Sequence, residues 1–172
     1  WWPISLYVNN EVAPYNDPTI RWALSHYVDR QQLIDVAYLG ASEVSPLPMP
    51  DYAPLQPYKD AIKDLLVKYD TLAFDRRRGD ALLTSKGYKK GSDGIWADAA
   101  GKKLTLEIIG VGGTGSAIGP VLTEMLRRSG VEASMSLPPN FNDRFQQGQY
   151  AGAIYSNGGS VNEWRASQRR LT

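Results

Sequence analysis

Apolar residues along this chain recur with two different periods, and those periods locate its first strand and helix. Residues 4–8 form a short apolar run with β-branched and aromatic side chains, bounded by proline and asparagine, which predicts a strand. Four later apolar residues share the i, i+3, i+4, i+7 spacing of one helix face: Ile20, Ala23, Leu24 and Tyr27. Asn16 or Asp17 is suited to cap this helix, and Pro18 to occupy its first turn.

The same patterns predict a series of helices and strands along the rest of the chain. Helices are expected over residues 29–39, 58–67, 75–86, 116–129 and 140–147, and strands over 104–109, 131–137 and 151–155, with a short hairpin arm at 95–96. Five prolines between residues 45 and 57 predict an extended loop. Because the last three strands alternate with helices, we expect right-handed crossovers and an α/β fold with a mostly parallel sheet flanked by helices.

Composition narrows the function classes. The 172 residues suit a single domain, and a hydrophobic fraction of 42% with 22% charged residues is ordinary for a globular protein. A net charge of +1 argues against a nucleic-acid partner, and the absence of cysteine excludes disulfides and thiolate catalysis. No apolar run approaches the length of a membrane span. The first residues lack an initiator Met and a signal-peptide pattern, so we expect the sequence to begin inside a longer chain.

The most specific pattern lies in residues 10–30. Its positions are Asn10, Pro14, Tyr15, Asn16, Asp17, Ile20, Arg21, Ala23, Leu24, Asp29 and Arg30. They resemble the block that opens the second lobe of the family 5 extracytoplasmic solute-binding proteins of bacterial ABC importers, the peptide, nickel and oligosaccharide binders. In that family a strand and an asparagine precede Pro-Phe-Asn-Asp, a helix reading Val-Arg-Gln-Ala-Leu, and Asp-Arg. Trp22 departs from the usual glutamine.

Later segments continue the resemblance in the family's order. Residues 74–88 are similar to its Tyr-Asp-Pro helix that ends in Gly-Tyr, and residues 94–106 to its Asp-Gly-x-Trp hairpin and following strand. Gly130-Val131 is similar to Gly-Ile-x-Val, and residues 148–151 to Gly-x-Tyr-Asp. Each motif is weak alone, but their order over roughly residues 5–164 makes the resemblance specific.

The resemblance implies a lobe of the type II periplasmic-binding-protein kind that binds a solute and is not an enzyme. It implies that the 172 residues are the second lobe of a two-lobed protein whose first lobe and hinge lie elsewhere. The expected partners are a peptide or oligosaccharide solute and the membrane permease subunits of an ABC importer; no cofactor or metal is expected, and the protein is expected to be a monomer. Its expected location is the periplasmic or extracellular face of the cytoplasmic membrane, which is compatible with a lipid anchor.

A glycine-rich turn at residues 110–115 leaves a second function class open. It matches G-x-G-x-x-G between a predicted strand and a predicted helix, the context in which backbone N–H groups hold a pyrophosphate, so a nucleotide-binding enzyme is the alternative. The acid that should end the next strand is missing, because residues 131–137 end in leucine. Under the family resemblance, Gly112, Gly113 and Thr114 would instead contact a solute.

The loop after the last strand is the other candidate ligand-binding segment, because open α/β sheets bind ligands at the carboxyl ends of their strands. We predict ligand contacts from Tyr155, Asn157, Ser160 and Trp164, and from Leu47 in the proline-rich loop. In family members that bind peptides, an aspartate here pairs with the α-ammonium group. Under the resemblance that position is Ser160, or Gly159 if the register shifts by one residue, so the acid is absent. This favours a neutral polar solute such as an oligosaccharide, or a peptide anchored elsewhere, because a desolvated ammonium needs an opposing charge.

The other chemistry-bearing residues fit structural roles better. His26 is the only histidine and adjoins an apolar helix face, so we expect it to be structural. The acidic residues between 60 and 75 are spread over predicted surface helices and do not form an acid/base pair. Ten tyrosines and five tryptophans also leave open a third class, an interaction module that uses an aromatic surface.

Overall fold

Alternating strands and helices assemble here into one four-stranded sheet with helices on both faces. The computed structural model describes residues 3–47 and 52–156. Its strands are β1 (Ile4–Val8), β2 (Lys89–Lys90), β3 (Trp96–Ala97), β4 (Thr105–Gly110), β5 (Glu132–Ser136) and β6 (Gly152–Ser156). The sheet order is β1-β6-β4-β5, while β2 and β3 form a separate hairpin. β4 runs parallel to both of its neighbours, which confirms the predicted mostly parallel sheet. β1 pairs with β6 in the antiparallel direction.

Seven α-helices and one 3₁₀ turn connect these strands in the described residues. They are α1 (Pro18–His26), α2 (Arg30–Tyr38), α3 (Gln56–Ala61), α4 (Lys63–Tyr69), α5 (Arg76–Ser85), α6 (Thr114–Arg128) and α7 (Phe141–Gln146), with the 3₁₀ turn at Ala53–Leu55. Asp17, Asp29 and Asp75 cap α1, α2 and α5 by accepting hydrogen bonds from backbone N–H groups of the first turn. Local sequence therefore predicted most helix starts to within two residues.

The predicted single helix over residues 58–67 is wrong. The structure has two short helices, α3 and α4, that break at Ile62, whose φ of −111° and ψ of 11° are not helical. Neither helix buries a residue, so no packing against the core holds the two segments on one axis.

The core lies mainly on one face of the sheet. Register places Leu106, Ile108 and Ile154 on this face, where they pack with the apolar sides of α1, α5 and α6. The predicted face of α6 is confirmed: Ile118, Leu122, Met125 and Leu126 are buried and Val121 is half-buried. Burying each such side chain stabilises the fold by about 1.5–3 kcal/mol. α7 covers the opposite face, where Phe141 packs on Ile109 and Ala153.

Among the described residues, every helix falls short of the length and apolar character that a bilayer span requires.

Candidate functional site

The three parallel strands end at one edge of the sheet, and this edge is the candidate ligand-binding site. Gly110 in β4 lies beside Ile154 in β6, and Ile109 lies beside Ser136, the last residue of β5. Two described loops follow at this edge, residues 111–113 and 137–140. Because ligands of open α/β sheets bind outside the carboxyl ends of the strands, both loops are placed to contact a solute.

Packing between β4 and α6 explains two of the glycines in the 110–115 turn. A Cβ atom on Gly110 would lie 2.8 Å from Met135 Cε, and one on Gly115 would lie 2.9 Å from Leu137 Cδ2. The two glycine backbones also approach each other closely, since a Cβ on Gly110 would lie 3.1 Å from the Gly115 Cα. Gly110 and Gly115 therefore let the helix start directly against the sheet, a role that requires no nucleotide.

The centre of the same turn is open to solvent. Gly112 has no heavy atom within 4 Å of a Cβ built on its backbone, and Gly113 precedes α6 with a φ of 77°. Both are exposed, and Thr114 begins the helix half-buried. The structure thus brings the predicted residues Gly112, Gly113 and Thr114 together at the sheet edge, where a ligand can approach the backbone.

The N-terminus of α6 lies at this edge and carries the partial positive charge of the helix dipole. The helix spans 15 residues, and no side chain caps it. Two of its first N–H groups are used internally, since Gly115 donates to the Val111 carbonyl at 2.8 Å and Ala117 donates to the Gly113 carbonyl at 3.0 Å. Aligned peptide dipoles make such an end favourable for oxygen acceptors and anionic groups. The turn can therefore donate backbone hydrogen bonds to hydroxyl, carbonyl or carboxylate oxygens.

Tyr155 reaches the same edge from the opposite face of the sheet. Its ring centroid lies 5.4 Å from that of Phe141 and 5.0 Å from that of Phe145, and the side chain is half-buried. Phe145 also packs edge-on against Tyr7 at 5.2 Å and is stacked with Tyr150 at 5.4 Å. Burial raises the pKa of Tyr150. This aromatic cluster holds the Tyr155 ring in place and leaves part of it accessible.

Sequence reasoning missed the two phenylalanines that support Tyr155. Phe141 and Phe145 are four residues apart on α7, so they face the sheet together. Their i, i+4 spacing in a short segment between two strands was the available signal. α7 is only six residues long, however, and such a short helix gives a weak periodic pattern.

Of the remaining predicted site residues, only Leu47 lies in the part of the chain that the structure describes. Leu47 has two hydrogen bonds with Ser45, and the adjacent Pro46 carbonyl accepts a hydrogen bond from Thr71 at 3.4 Å. The Thr71 bond ties the proline-rich loop to the segment after α4, and the two bonds with Ser45 are local to the loop. Asn157, Ser160 and Trp164 lie outside the described residues, so their ligand contacts stay predictions.

His26 lies away from the sheet edge, in the interior. Its side chain is 1% exposed, and Nδ1 lies 3.2 Å from the Ala73 carbonyl oxygen. The ring also stacks with Trp22 at 6.0 Å between centroids. A buried ring with a backbone partner fits the structural role expected for this histidine.

Comparison with known proteins identifies the family. The model of the bacterial extracellular solute-binding proteins, family 5, middle part, matches residues 2–168. This chain belongs to that family. A probable ABC transporter-binding protein of Deinococcus radiodurans is 35% identical over 97 residues, which are 55% of this chain and 15% of that protein. The matched segment is therefore a small part of the length of that relative.

Solved structures show the same fold. The mannohexaose-bound periplasmic oligopeptide-binding protein of Thermotoga maritima superimposes with a TM-score of 0.77 at 21% identity, over 90% of this chain and 29% of that one. NikA of Brucella suis, in complex with Fe(III)-EDTA, superimposes with a TM-score of 0.79 at 18% identity, over 99% of this chain and 33% of that one. These neighbours are type II periplasmic binding proteins, so the fold predicted from the family resemblance is confirmed.

Proposed function

We propose that these residues form the second lobe of a two-lobed receptor, which captures a solute outside the cytoplasmic membrane and delivers it to an ABC permease. The observation that carries the proposal is the family match over residues 2–168. The open glycine turn at the carboxyl edge of the sheet supports it. Two lobes that close on a solute produce a state that the permease can distinguish from the open receptor. A solute shifts this equilibrium only through contacts that it makes better in the closed state.

In this proposal the glycine turn supplies backbone donors and Tyr155 supplies an apolar platform. Backbone N–H groups at Gly112, Gly113 and Thr114 would hold hydroxyl or carbonyl oxygens. The aromatic ring would pack against a sugar face or a peptide side chain. Asn157, Ser160 and Trp164 would complete this wall of the cleft, and Leu47 would contribute from the proline-rich loop.

The proposed solute is a neutral polar oligosaccharide, or a peptide that is not held by its α-ammonium group. The edge loops 111–113 and 137–140 contain no aspartate or glutamate, and under the family resemblance Ser160 or Gly159 stands where peptide-binding members have an aspartate. Without a carboxylate, a buried ammonium would lose its hydration and gain no opposing charge. The mannohexaose complex of the Thermotoga protein, which contains this fold, supports an oligosaccharide as the solute.

Calorimetry on the whole receptor polypeptide would test this proposal. The panel comprises manno- and gluco-oligosaccharides and matched peptides with free and N-acetylated amino termini. We expect an oligosaccharide or an acetylated peptide to bind at least as tightly as the free-amine peptide. Binding restricted to free-amine peptides would overturn the solute class. Binding of NAD or ATP with no response to any solute would overturn the receptor itself.

A substitution in the glycine turn would test its place in the cleft. Gly112→Val adds a side chain where no atom lies within 4 Å and where φ is not in the left-handed region, so folding should be unaffected. We expect the solute Kd to rise at least ~tenfold with an unchanged Tm, because the side chain separates ligand from backbone. Ala100→Val, in the exposed turn after β3, is the matched control and should bind like the wild type. Unchanged affinity in Gly112→Val would place the cleft elsewhere.

A further inference from the structure

The glycine turn at the sheet edge is packed at its two ends and open at its centre. Within the described residues, a Cβ built on Gly112 or Gly113 would have no heavy atom within 4 Å beyond its chain neighbours. At the ends, a Cβ on Gly115 would lie 3.2 Å from the Gly110 Cα, so the two backbones approach closely. The contacts at these ends therefore hold the N–H groups that lie between them.

Two side chains from β5 and the loop after it occupy the space at those ends. Met135 Cε would lie 2.8 Å from a Cβ on Gly110, and Leu137 Cδ2 would lie 2.9 Å from one on Gly115. Residues two apart on a strand project to the same side, so Met135 and Leu137 face α6 together. The parallel register beside β4, with Met135 opposite Ile108, fixes where the pair begins. The two side chains thus pack against the end of β4 and the start of α6 at once.

Met135 reaches further along α6 than Leu137 does. A Cβ on Gly119, about one helical turn after Gly115, would fall directly on the Met135 sulfur and lie 3.3 Å from its Cγ. Methionine is unbranched and has a flexible side chain, so it can follow the irregular groove that the glycines leave. Met135 therefore contacts both β4 and α6 below the turn, and its removal would loosen both.

We propose that Met135 is a positioning residue for solute binding. Its side chain fixes the start of α6 against β4 and so holds the N–H groups at Gly112 and Gly113 in the geometry that binds solute oxygens. Hydrogen bonds weaken steeply when their distance and angle depart from the optimum, so a small displacement of the turn lowers affinity. Binding groups keep their geometry when packed side chains support them. The inference rests on the proposed function, since it assigns this role at the edge proposed to bind solute.

Met135→Ala in the whole receptor polypeptide would test this role. The alanine leaves a void below Gly110 and Gly119, while the groups proposed to touch the solute stay unchanged. Calorimetry with mannohexaose, or with the tightest binder of the solute panel if that differs, should show a Kd raised at least ~fivefold. Met135→Leu nearly conserves the side-chain volume, so we expect it to restore most of the affinity.

Met125→Ala is the matched control. Met125 is 4% exposed and packs in the core from the same helix. It lies ~16 Å along the helix from Thr114, at a rise of about 1.5 Å per residue. We expect it to lower the Tm at least as much as Met135→Ala does and to leave the Kd unchanged. An equal loss of affinity in both variants would overturn the proposal, because lost stability and not the position of the turn would then weaken binding.

The amide signals of Gly112 and Gly113 give a readout that needs no solute. In nuclear magnetic resonance spectra of the receptor with isotope-labelled glycine, Met135→Ala should shift these two signals and Met125→Ala should not. Gly119→Ala should shift them as well, because its methyl group takes the place of the Met135 side chain. Signals that stay in place in Met135→Ala would overturn the proposal directly.

Gly112→Val separates a failure of this inference from a failure of the proposed function. If Gly112→Val weakens binding and Met135→Ala does not, the turn lies in the cleft but Met135 does not position it, and the inference alone is overturned. If neither variant weakens binding, the cleft lies elsewhere, and the inference is overturned together with the proposed site.

Discussion

Two regions of the molecule contain helices that an apolar pattern predicted. One is α6, which lies between β4 and β5, and the other is the pair α3 and α4. The two regions differ in how much of their apolar surface is buried. α6 buries Leu122, Met125 and Leu126 against the sheet, whereas α3 and α4 bury nothing. In the first region burial in the core adds to local helix propensity. In the second the described tertiary contacts are peripheral, such as the stacking of Tyr69 on Trp22 at 6.4 Å between ring centroids. The difference shows that an apolar helical pattern predicts a helix but does not by itself say what covers it.

Truncating a buried leucine should produce the largest contrast between these two regions. Leu126→Ala removes a side chain with 0% exposure, and we expect it to lower the free energy of unfolding by about 2–5 kcal/mol through lost burial and a cavity. Leu65→Ala makes the same change on exposed α4, where we expect less than about 0.5 kcal/mol. Urea unfolding measures both. Equal losses would mean that α4 is packed in solution and would remove the basis of the comparison.

Filling a glycine in α6 should give the next largest effect. The Met135 side chain lies across Gly119, so a Cβ there would fall directly on the Met135 sulfur. Gly119→Ala improves helix propensity, yet we expect a net loss of about 1–3 kcal/mol because the methionine must leave its place. In a double-mutant cycle, the double variant Gly119→Ala/Met135→Ala should lose less unfolding free energy than the sum of the two single variants. Met135→Ala removes the side chain with which the new methyl group clashes. Full additivity would show that Met135 does not constrain the helix.

A surface ion pair outside both regions should have the smallest effect. Lys86 Nζ lies 2.6 Å from Asp17 Oδ2 and links the end of α5 to the start of α1. The hydrogen bond from Lys86 holds the pKa of Asp17 below its ordinary value of 3.8. A carboxyl with a lowered pKa in the folded state contributes stability that is present above the unfolded pKa and is lost as pH falls through the folded one.

Lys86→Gln tests this contribution. Urea midpoints of wild type and variant should differ slightly at neutral pH, and the difference should shrink as pH falls below the ordinary aspartate pKa. Since the pair is exposed, added salt should reduce the difference as well. A difference that stays constant down to acid pH would mean that Lys86 acts through packing and not through the charge of Asp17.

Much of the fold was predictable from local sequence. The caps at Asp17 and Asp29, the apolar face of α6 and the strand–helix order were predictable, because each depends on residues within a few positions of one another. The break at Ile62 was not predictable, since a continuous helical pattern spans it and only missing packing explains it.

The candidate site was predictable in part. The glycine turn at the carboxyl edge followed from its position between a strand and a helix. The need for glycine at positions 110 and 115 was not predictable. The atoms that would clash with a side chain there belong to Met135 and Leu137, on another strand and its following loop.

The sequence by itself determined the family, the α/β class and the element that follows each turn. Motif order and hydrophobic period depend on residues that are close together along the chain, so they can be recognised without the tertiary structure. Only the tertiary structure decided that β1 runs antiparallel beside β6, that Tyr155 rests on Phe141 and Phe145, and that α3 and α4 have no buried residue within the part of the chain that the structure describes. These features depend on strand register and on contacts between distant residues. An apolar run does not encode them, because it packs equally well in either direction.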